Sequence, residues 1–224
     1  MRQAEGGGAM IGSASQRLDM VERQLARRGI SDPAVLDAMR TVPRERFVDP
    51  GDTSHAYDDS ALAIAEGQTV SQPFIVALML EAAELRRGDR VLEIGAGSGY
   101  AAAVISRIAG QVWAVERHAR LAEQAVSRWA ALGYGNITLR IGDGTRGWSE
   151  QAPFDAIIVS AAGRAIPVSL QQQLEIGGRM VMPVGDADSQ RLLKITRTSG
   201  TRFEEEDLGP VRFVPLVGAE GWPA

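Results

Sequence analysis

The sequence predicts an α/β protein built on a mostly parallel sheet, and three features point that way. The apolar run Val91-Leu92-Glu93-Ile94 ends in Gly95-Ala96-Gly97-Ser98-Gly99 and passes directly into the small-residue stretch Tyr100 to Ile105, the pattern of a buried strand, a tight loop and a helix. From Gln111 to Thr196, strand-like and helix-like segments alternate, which demands crossover connections and therefore parallel strands covered on both faces. The last two strand-like segments are separated only by Thr198 to Gly209, with no helix, and read as a hairpin carrying one antiparallel member. The expected architecture is a Rossmann-like, doubly wound sheet of seven strands preceded by a helical extension.

Each element has its own signal. Residues 1–14 carry a glycine run and little hydrophobic length, and are expected to be a flexible N-terminus before a single domain over 15–224. Ser13 or Ser15 is placed to cap a first helix with Leu18, Val21 and Leu25 on one face, ending at Gly29. Asp32 caps a second, with Pro33 in its first turn and Val35, Leu36 and Met39 facing inward. Asp49 to Thr69 is irregular and long, as functional connections often are. Ser71 is then placed to cap a helix over Phe74 to Leu85, which closes residues 15–88. The core, 89–218, follows with strands at Arg90–Ile94, Gln111–Glu116, Ile137–Ile141, Phe154–Ser160, Arg179–Val184, Leu192–Thr196 and Val211–Val217. Helices over Tyr100–Ala109, Ala119–Leu132 (stopped by Gly133) and Pro167–Leu174 connect them.

Bulk properties narrow the function. The chain has 224 residues, the size of one α/β domain with a modest extension. A formal net charge of -4 argues against a nucleic-acid partner. With no cysteine there is no disulfide framework, thiol nucleophile or thiolate metal site, and His55 and His118 are not spaced as a metal pair. No segment is apolar for long enough to span a membrane, and the N-terminus does not read as a signal peptide. A cytoplasmic enzyme, monomeric and without metal, is expected.

The glycine loop can present backbone amides to a ligand, glycine being needed where a Cβ would hold that ligand off the main chain, or it can be a plain strand-to-helix turn. Its spacing, Glu-x-Gly-x-Gly-x-Gly, differs from the dinucleotide fingerprint, whose third glycine falls one position later. Acidic residues stand at strand ends, where open α/β sheets bind ligands. Glu116 can accept from both hydroxyls of a ribose, or simply start the next helix. Asp143, between Gly142 and Gly144, can receive the exocyclic amine of adenine, or make an Asx turn. Glu93 either braces the loop or faces a cationic amino group. Trp113, Trp129 and Trp148 read as packing groups.

The loop resembles the nucleoside-binding loop of class I S-adenosylmethionine methyltransferases. Together with Val42-Pro43-Arg44-Glu45-Arg46-Phe47-Val48, Glu66-Gly67-Gln68-Thr69-Val70-Ser71-Gln72-Pro73, Gly142-Asp143-Gly144, Ala152 to Val159 and Val211-Arg212-Phe213-Val214-Pro215-Leu216, the chain resembles the protein-L-isoaspartate O-methyltransferase family. That resemblance implies methyl transfer from S-adenosylmethionine to the free carboxylate of isoaspartyl residues in damaged peptides and proteins. It places the cofactor on Glu93, Gly95, Ala96, Gly97, Ser98, Gly99, Glu116, Arg117, Asp143 and Gly144. It makes Ser71 the catalytic position, with Thr69, Val70, Gln72, Ser160 and Val214 toward the peptide, and gives 15–88 the substrate side. It also implies a swapped order for the end strands. This chain departs from the family pattern at Ala63, Ala65 and Gly163-Arg164, which leaves open a related carboxyl methyltransferase acting on a dedicated substrate.

Overall fold

The computed structural model describes residues 6–223. Helix α1 (Gly6–Met20) begins within the segment expected to be flexible, and residues 1–5 lie outside the described residues. Ser13 and Ser15 therefore sit inside α1 rather than capping it. A π-helical turn, Val21–Leu25, and a 3-10 turn, Ala26–Arg28, continue it to Gly29, whose φ of 105° is left-handed and stops the helix. The π turn rephases the buried stripe: Met20, Val21 and Leu25 face the core while Leu18 is 54% exposed, which corrects the expected face.

Helix α2 (Pro33–Thr41) is capped as expected, Asp32 accepting from Ala34 N at 2.8 Å and Val35 N at 3.4 Å. It buries Val35, Ala38 and Met39, with Leu36 half-buried. The irregular connection contains a small hairpin, β1 (Leu62–Ala63) with β2 (Thr69–Val70). Helix α3 (Pro73–Ala82) follows, but its N-cap is Gln72, not Ser71. Proline at the first helical position forces the preceding residue into extended backbone, so the cap position falls on Gln72 at φ -49° and ψ 137°.

The sheet contains β3 (Arg90–Ile94), β4 (Gln111–Glu116), β5 (Ile137–Ile141), β6 (Phe154–Val159), β7 (Leu174–Gly185), β8 (Gln190–Arg197) and β9 (Phe203–Val211) in the order β5-β4-β3-β6-β7-β8-β9. Helices α4 (Tyr100–Ile105), α5 (Ala119–Leu132) and α6 (Val168–Gln172) cover it. Strands β3 to β7 pair in parallel, and β8 is antiparallel to both neighbours, so it is the single reversed strand. Alternate residues of β3 feed the two faces: Val91 joins the layer holding α2 to α5, while Leu92 and Ile94 join Trp113, Phe154 and Leu170 on the other side. Strand order reverses between β3 and β6, which opens a crevice at their carboxyl ends. No described helix is long and apolar enough to cross a membrane.

Two expectations fail at the far edge. The last strand is Phe203–Val211, not Val211–Val217, and the end strands lie in sequence order rather than swapped. Glu204, Glu205, Glu206 and Asp207 are exposed on an edge strand, where charge discourages intermolecular pairing and erases the apolar signal. Strand β7 starts at Leu174, earlier than Arg179, because Phe154 pairs with Leu174 across a register shift.

Removing the α2 cap with Asp32→Ala is expected to destabilise the fold by about 1 kcal/mol. Urea unfolding would report it as a lower midpoint with unchanged slope.

Candidate active site

The glycine loop leaves β3 at the switch point and is gripped from β4. Gly95 N and Ala96 N donate to Val115 O at 2.8 and 3.3 Å, and Gly97 N donates to Glu116 Oε2 at 2.8 Å. Gly97 has a left-handed φ of 53° and faces Ile64 of the hairpin. At Gly99, φ is 87° and a Cβ would stand 2.7 Å from Trp129 Nε1, which instead donates to Gly99 O at 2.9 Å. The third glycine is thus required by the approach of α5.

A cavity of about 140 Å3 lies between this loop, the end of β4, the β2 segment and residues 214–217. Of the residues expected at a cofactor, Glu93, Gly95, Ala96, Gly97 and Ser98 line it. Glu116, Arg117 and Gly144 complete that wall. Thr69, Val70 and Ser71 enter from the N-terminal segment, and Ser160 and Val214 from the opposite side. Three expected residues do not line it. Gly99 is engaged with Ala96 and Trp129 beneath the loop. Gln72 turns away, its Nε2 donating to Asp59 O at 3.1 Å. Asp143 faces the C-terminal segment, accepting from Thr145 N at 2.9 Å, Thr145 Oγ1 at 2.7 Å and Ala219 N at 2.8 Å. Its carboxyl is nevertheless held below the usual range: burial pushes it up, but the Ala219 and Thr145 donors outweigh that.

The two buried carboxylates differ sharply. Glu116 accepts from Gly97 N and from His118 N at 2.9 Å. Glu93 is 1% exposed and neither of its oxygens has a hydrogen-bond partner. Burial first, and then the nearby Glu116, raise its carboxyl well above the ordinary value. An orphaned carboxylate against a cavity fits a ligand carrying a cationic amino group, as S-adenosylmethionine does in its amino-acid part. Ser71, not being a cap, makes no side-chain hydrogen bond within the described residues, and its hydroxyl is available at the cavity wall.

Several contributors carry no clear local signal in the sequence. Tyr100 forms part of the cavity wall at 1% exposure, and burial pushes its hydroxyl up to about 12. Behind it the fully buried Arg44 stacks 4.8 Å from its ring centroid and donates to Ala56 O at 2.7 Å. Burial inside an arginine-rich stretch is invisible to periodicity. His118 lines the cavity and stands 3.9 Å from Glu66 of the hairpin connection. Trp113 packs edge-on to Phe154 and Trp148 under Arg140, away from the wall. Arg164 is exposed over the ring of Trp222, and His55 pairs with Asp58 at the surface.

The chain is similar to known proteins over most of its length. The family model for protein-L-isoaspartate(D-aspartate) O-methyltransferase matches residues 15–221. A protein-L-isoaspartate O-methyltransferase of Methylorubrum extorquens (strain PA1) is 59% identical over 208 residues, 93% of this chain and 91% of its own. That of Rhodopseudomonas palustris (strain HaA2), designated 1, is 57% identical over 210 residues, 93% of this chain and 86% of its own. A solved protein-L-isoaspartate O-methyltransferase superposes with a TM-score of 0.83 at 30% identity, covering 93% of this chain and 67% of that one. A Plasmodium falciparum structure assigned to the same activity, in complex with S-adenosyl-L-homocysteine, gives 0.78 at 26% identity over 90% and 98% of the two chains. The chain therefore belongs to the protein-L-isoaspartate(D-aspartate) O-methyltransferase family.

Proposed function

We propose a division of labour for this cavity within the activity of the family. The chain is an S-adenosylmethionine-dependent enzyme that methylates the free carboxylate of L-isoaspartyl residues in damaged proteins and peptides, starting their repair through a succinimide. The observation that carries the assignment of roles is one cavity uniting an unpartnered Ser71 hydroxyl with the unpartnered, buried carboxylate of Glu93.

S-adenosylmethionine supplies a methyl group already activated on sulfur. Glu93 would hold its amino group, Glu116 its ribose hydroxyls, and Gly95 to Ser98 the close main-chain surface. The substrate carboxylate is ionised near neutral pH, since its pKa lies roughly three units lower, so it needs no general base. Ser71 donates its hydroxyl to the carboxylate oxygen that does not attack, and Thr69, Val70, Ser160 and Val214 confine the peptide. Positioning of this kind can contribute about 7–11 kcal/mol. Once formed, the ester is attacked at its carbonyl carbon by the following backbone nitrogen, which gives up its proton as methanol leaves, and hydrolysis of the resulting succinimide returns part of the material to aspartate.

In the cell the enzyme acts as a cytoplasmic monomer without nucleic-acid or membrane partners, in keeping with its net charge of -4. Residues 15–224 work as one methyltransferase domain, with 15–88 on the substrate side and 89–218 as the core.

Labelled S-adenosylmethionine with matched isoaspartyl and aspartyl peptides tests the activity: base-labile label is expected on the isoaspartyl peptide, and equal labelling of both would refute it. Ser71→Ala is expected to lower kcat/KM about ten- to a hundredfold, the range for a hydrogen bond to a charged group. S-adenosyl-L-homocysteine affinity should stay at the wild-type value in that variant, and calorimetry together with initial rates separates the two.

Glu93 offers a pH test. Its folded carboxyl is raised above the unfolded value of about 4.3, so the stability it contributes is present below that pH and lost as pH rises through the folded value. Glu93→Gln cannot ionise. Without cofactor, its stability relative to wild type should therefore climb from about pH 4 upward, while affinity for S-adenosyl-L-homocysteine falls. Parallel stability profiles for the two proteins would contradict this.

A further inference from the structure

Residues 211–222 form a strap across the carboxyl ends of β5 and β6. On the β6 side, Ala162 N donates to Val214 O at 2.8 Å, Leu216 N donates to Ala162 O at 2.8 Å, and Trp222 Nε1 donates to the same oxygen at 3.0 Å. On the β5 side the attachment is Asp143. Its Oδ2 accepts from Ala219 N at 2.8 Å, and its Oδ1 holds the Thr145 hydroxyl at 2.7 Å, which in turn accepts from Glu220 N at 3.1 Å. The Glu220 carboxylate then accepts from Ser169 N at 3.1 Å. Val214 and Leu216, bonded to Ala162, line the cavity with Pro215 and Val217, and Phe213 N before them donates to Gln190 Oε1 of β8 at 2.7 Å. Gly218 passes so close that a Cβ there would overlap the Asp143 carboxylate.

We propose that Asp143 is a positioning residue for the peptide side of the site: its carboxylate seats the strap, and the seated strap sets the wall formed by Val214 to Val217. The role assigned to that wall rests on the methyltransferase reading above. The physical case is one of ordering entropy. A segment outside the sheet stays ordered only if contacts offset its conformational entropy, and for residues 212–222 these come from Gln190, Ala162, Asp143 and Ser169. Release of Asp143 frees the Ala219 amide and leaves Gly218 to Glu220 held through Ser169, so the Val217 end of the wall can shift from the substrate while Val214 and Leu216 stay bonded to Ala162. A carboxylate accepting from main-chain N–H is among the stronger hydrogen bonds available for such a task. Thr145, by linking the same carboxylate to Glu220 N, makes the attachment two-pronged.

Three variants test this from both sides of the contact. Asp143→Asn replaces an acceptor with an amide that cannot serve all its donors. Gly218→Ala forces the carboxylate out of place from the strap side. A chain ending at Gly218 removes Ala219 and Glu220 outright. The readouts are KM for an isoaspartyl peptide, kcat at saturating peptide, S-adenosyl-L-homocysteine affinity, and hydrogen exchange of the Ala219 and Glu220 amides in the two full-length variants.

The expected result is faster exchange at both amides in the two full-length variants, and a KM raised about ten- to a hundredfold in all three proteins, with kcat retained. In Gly218→Ala, which leaves the carboxylate chemically intact, affinity for S-adenosyl-L-homocysteine should stay at the wild-type value. Wild-type KM in the shortened chain would overturn the proposal. So would an Asp143→Asn variant that weakens cofactor binding while both strap-side variants keep wild-type KM, since Asp143 would then serve the nucleoside alone. Exchange and cofactor affinity are read without peptide, so failure of the latch is distinguishable from absence of isoaspartyl methylation in the wild-type enzyme.

Discussion

The Glu116 carboxylate is the fastening on which the site depends. It accepts from Gly97 N in the glycine loop and from His118 N at the head of α5, binding the end of β4 to the turn that leaves β3. Hydrogen bonds to a charged group contribute about 1.5–3 kcal/mol each, so the loop is held in shape by the protein itself. Trp129 adds a clamp from α5 through its bond to Gly99 O, and Val115 O takes the amides of Gly95 and Ala96. A ligand meets a loop already ordered, and little of its binding energy is lost to ordering the chain.

The same arrangement explains why Glu93 is left uncompensated. The loop amides of Gly95, Ala96 and Gly97 donate to Val115 O and Glu116, and the neighbouring negative charge raises the cost of ionising Glu93. Buried carboxyl groups without partners are rare and expensive, and they concentrate at functional sites. The pairing of one satisfied and one orphaned carboxylate at adjacent strand ends suits a ligand with hydroxyls at one end and a cation at the other.

The N-terminal segment is part of the same core. Ile64 meets the glycine loop at Gly97, Arg44 and Phe47 pack on Tyr100, and Met39 meets the Tyr100 hydroxyl. Arg179 in β7 ties the end of α3 to the sheet by donating to Ala83 O at 2.8 Å and Glu84 O at 2.7 Å. Ser71 is consequently presented to the cavity by a helix and hairpin packed on the sheet, a rigid support for a residue that must orient a small group.

Much of the fold was legible because its signals are local. Strands β3, β4 and β5 and helix α5 fall on the expected residues, since buried parallel strands are continuous apolar runs and α5 has a clear amphipathic period stopped by Gly133. The errors fall where another effect overrides the pattern. A π turn shifted the buried face of α1, Pro73 moved the cap off Ser71, and acidic residues on an edge strand hid β9.

By itself, then, the sequence determined the sheet, the glycine loop, the strand-end carboxylates and the resemblance to a methyltransferase family, because these depend on residue type and spacing along the chain. Only the tertiary structure decided that the Ser71 hydroxyl is free, that Glu93 has no partner, and that Asp143 holds the terminal strap instead of lining the cavity. Whether a polar group is satisfied depends on donors brought to it from distant segments: Ala219 lies 76 positions from Asp143, and no local pattern encodes that meeting.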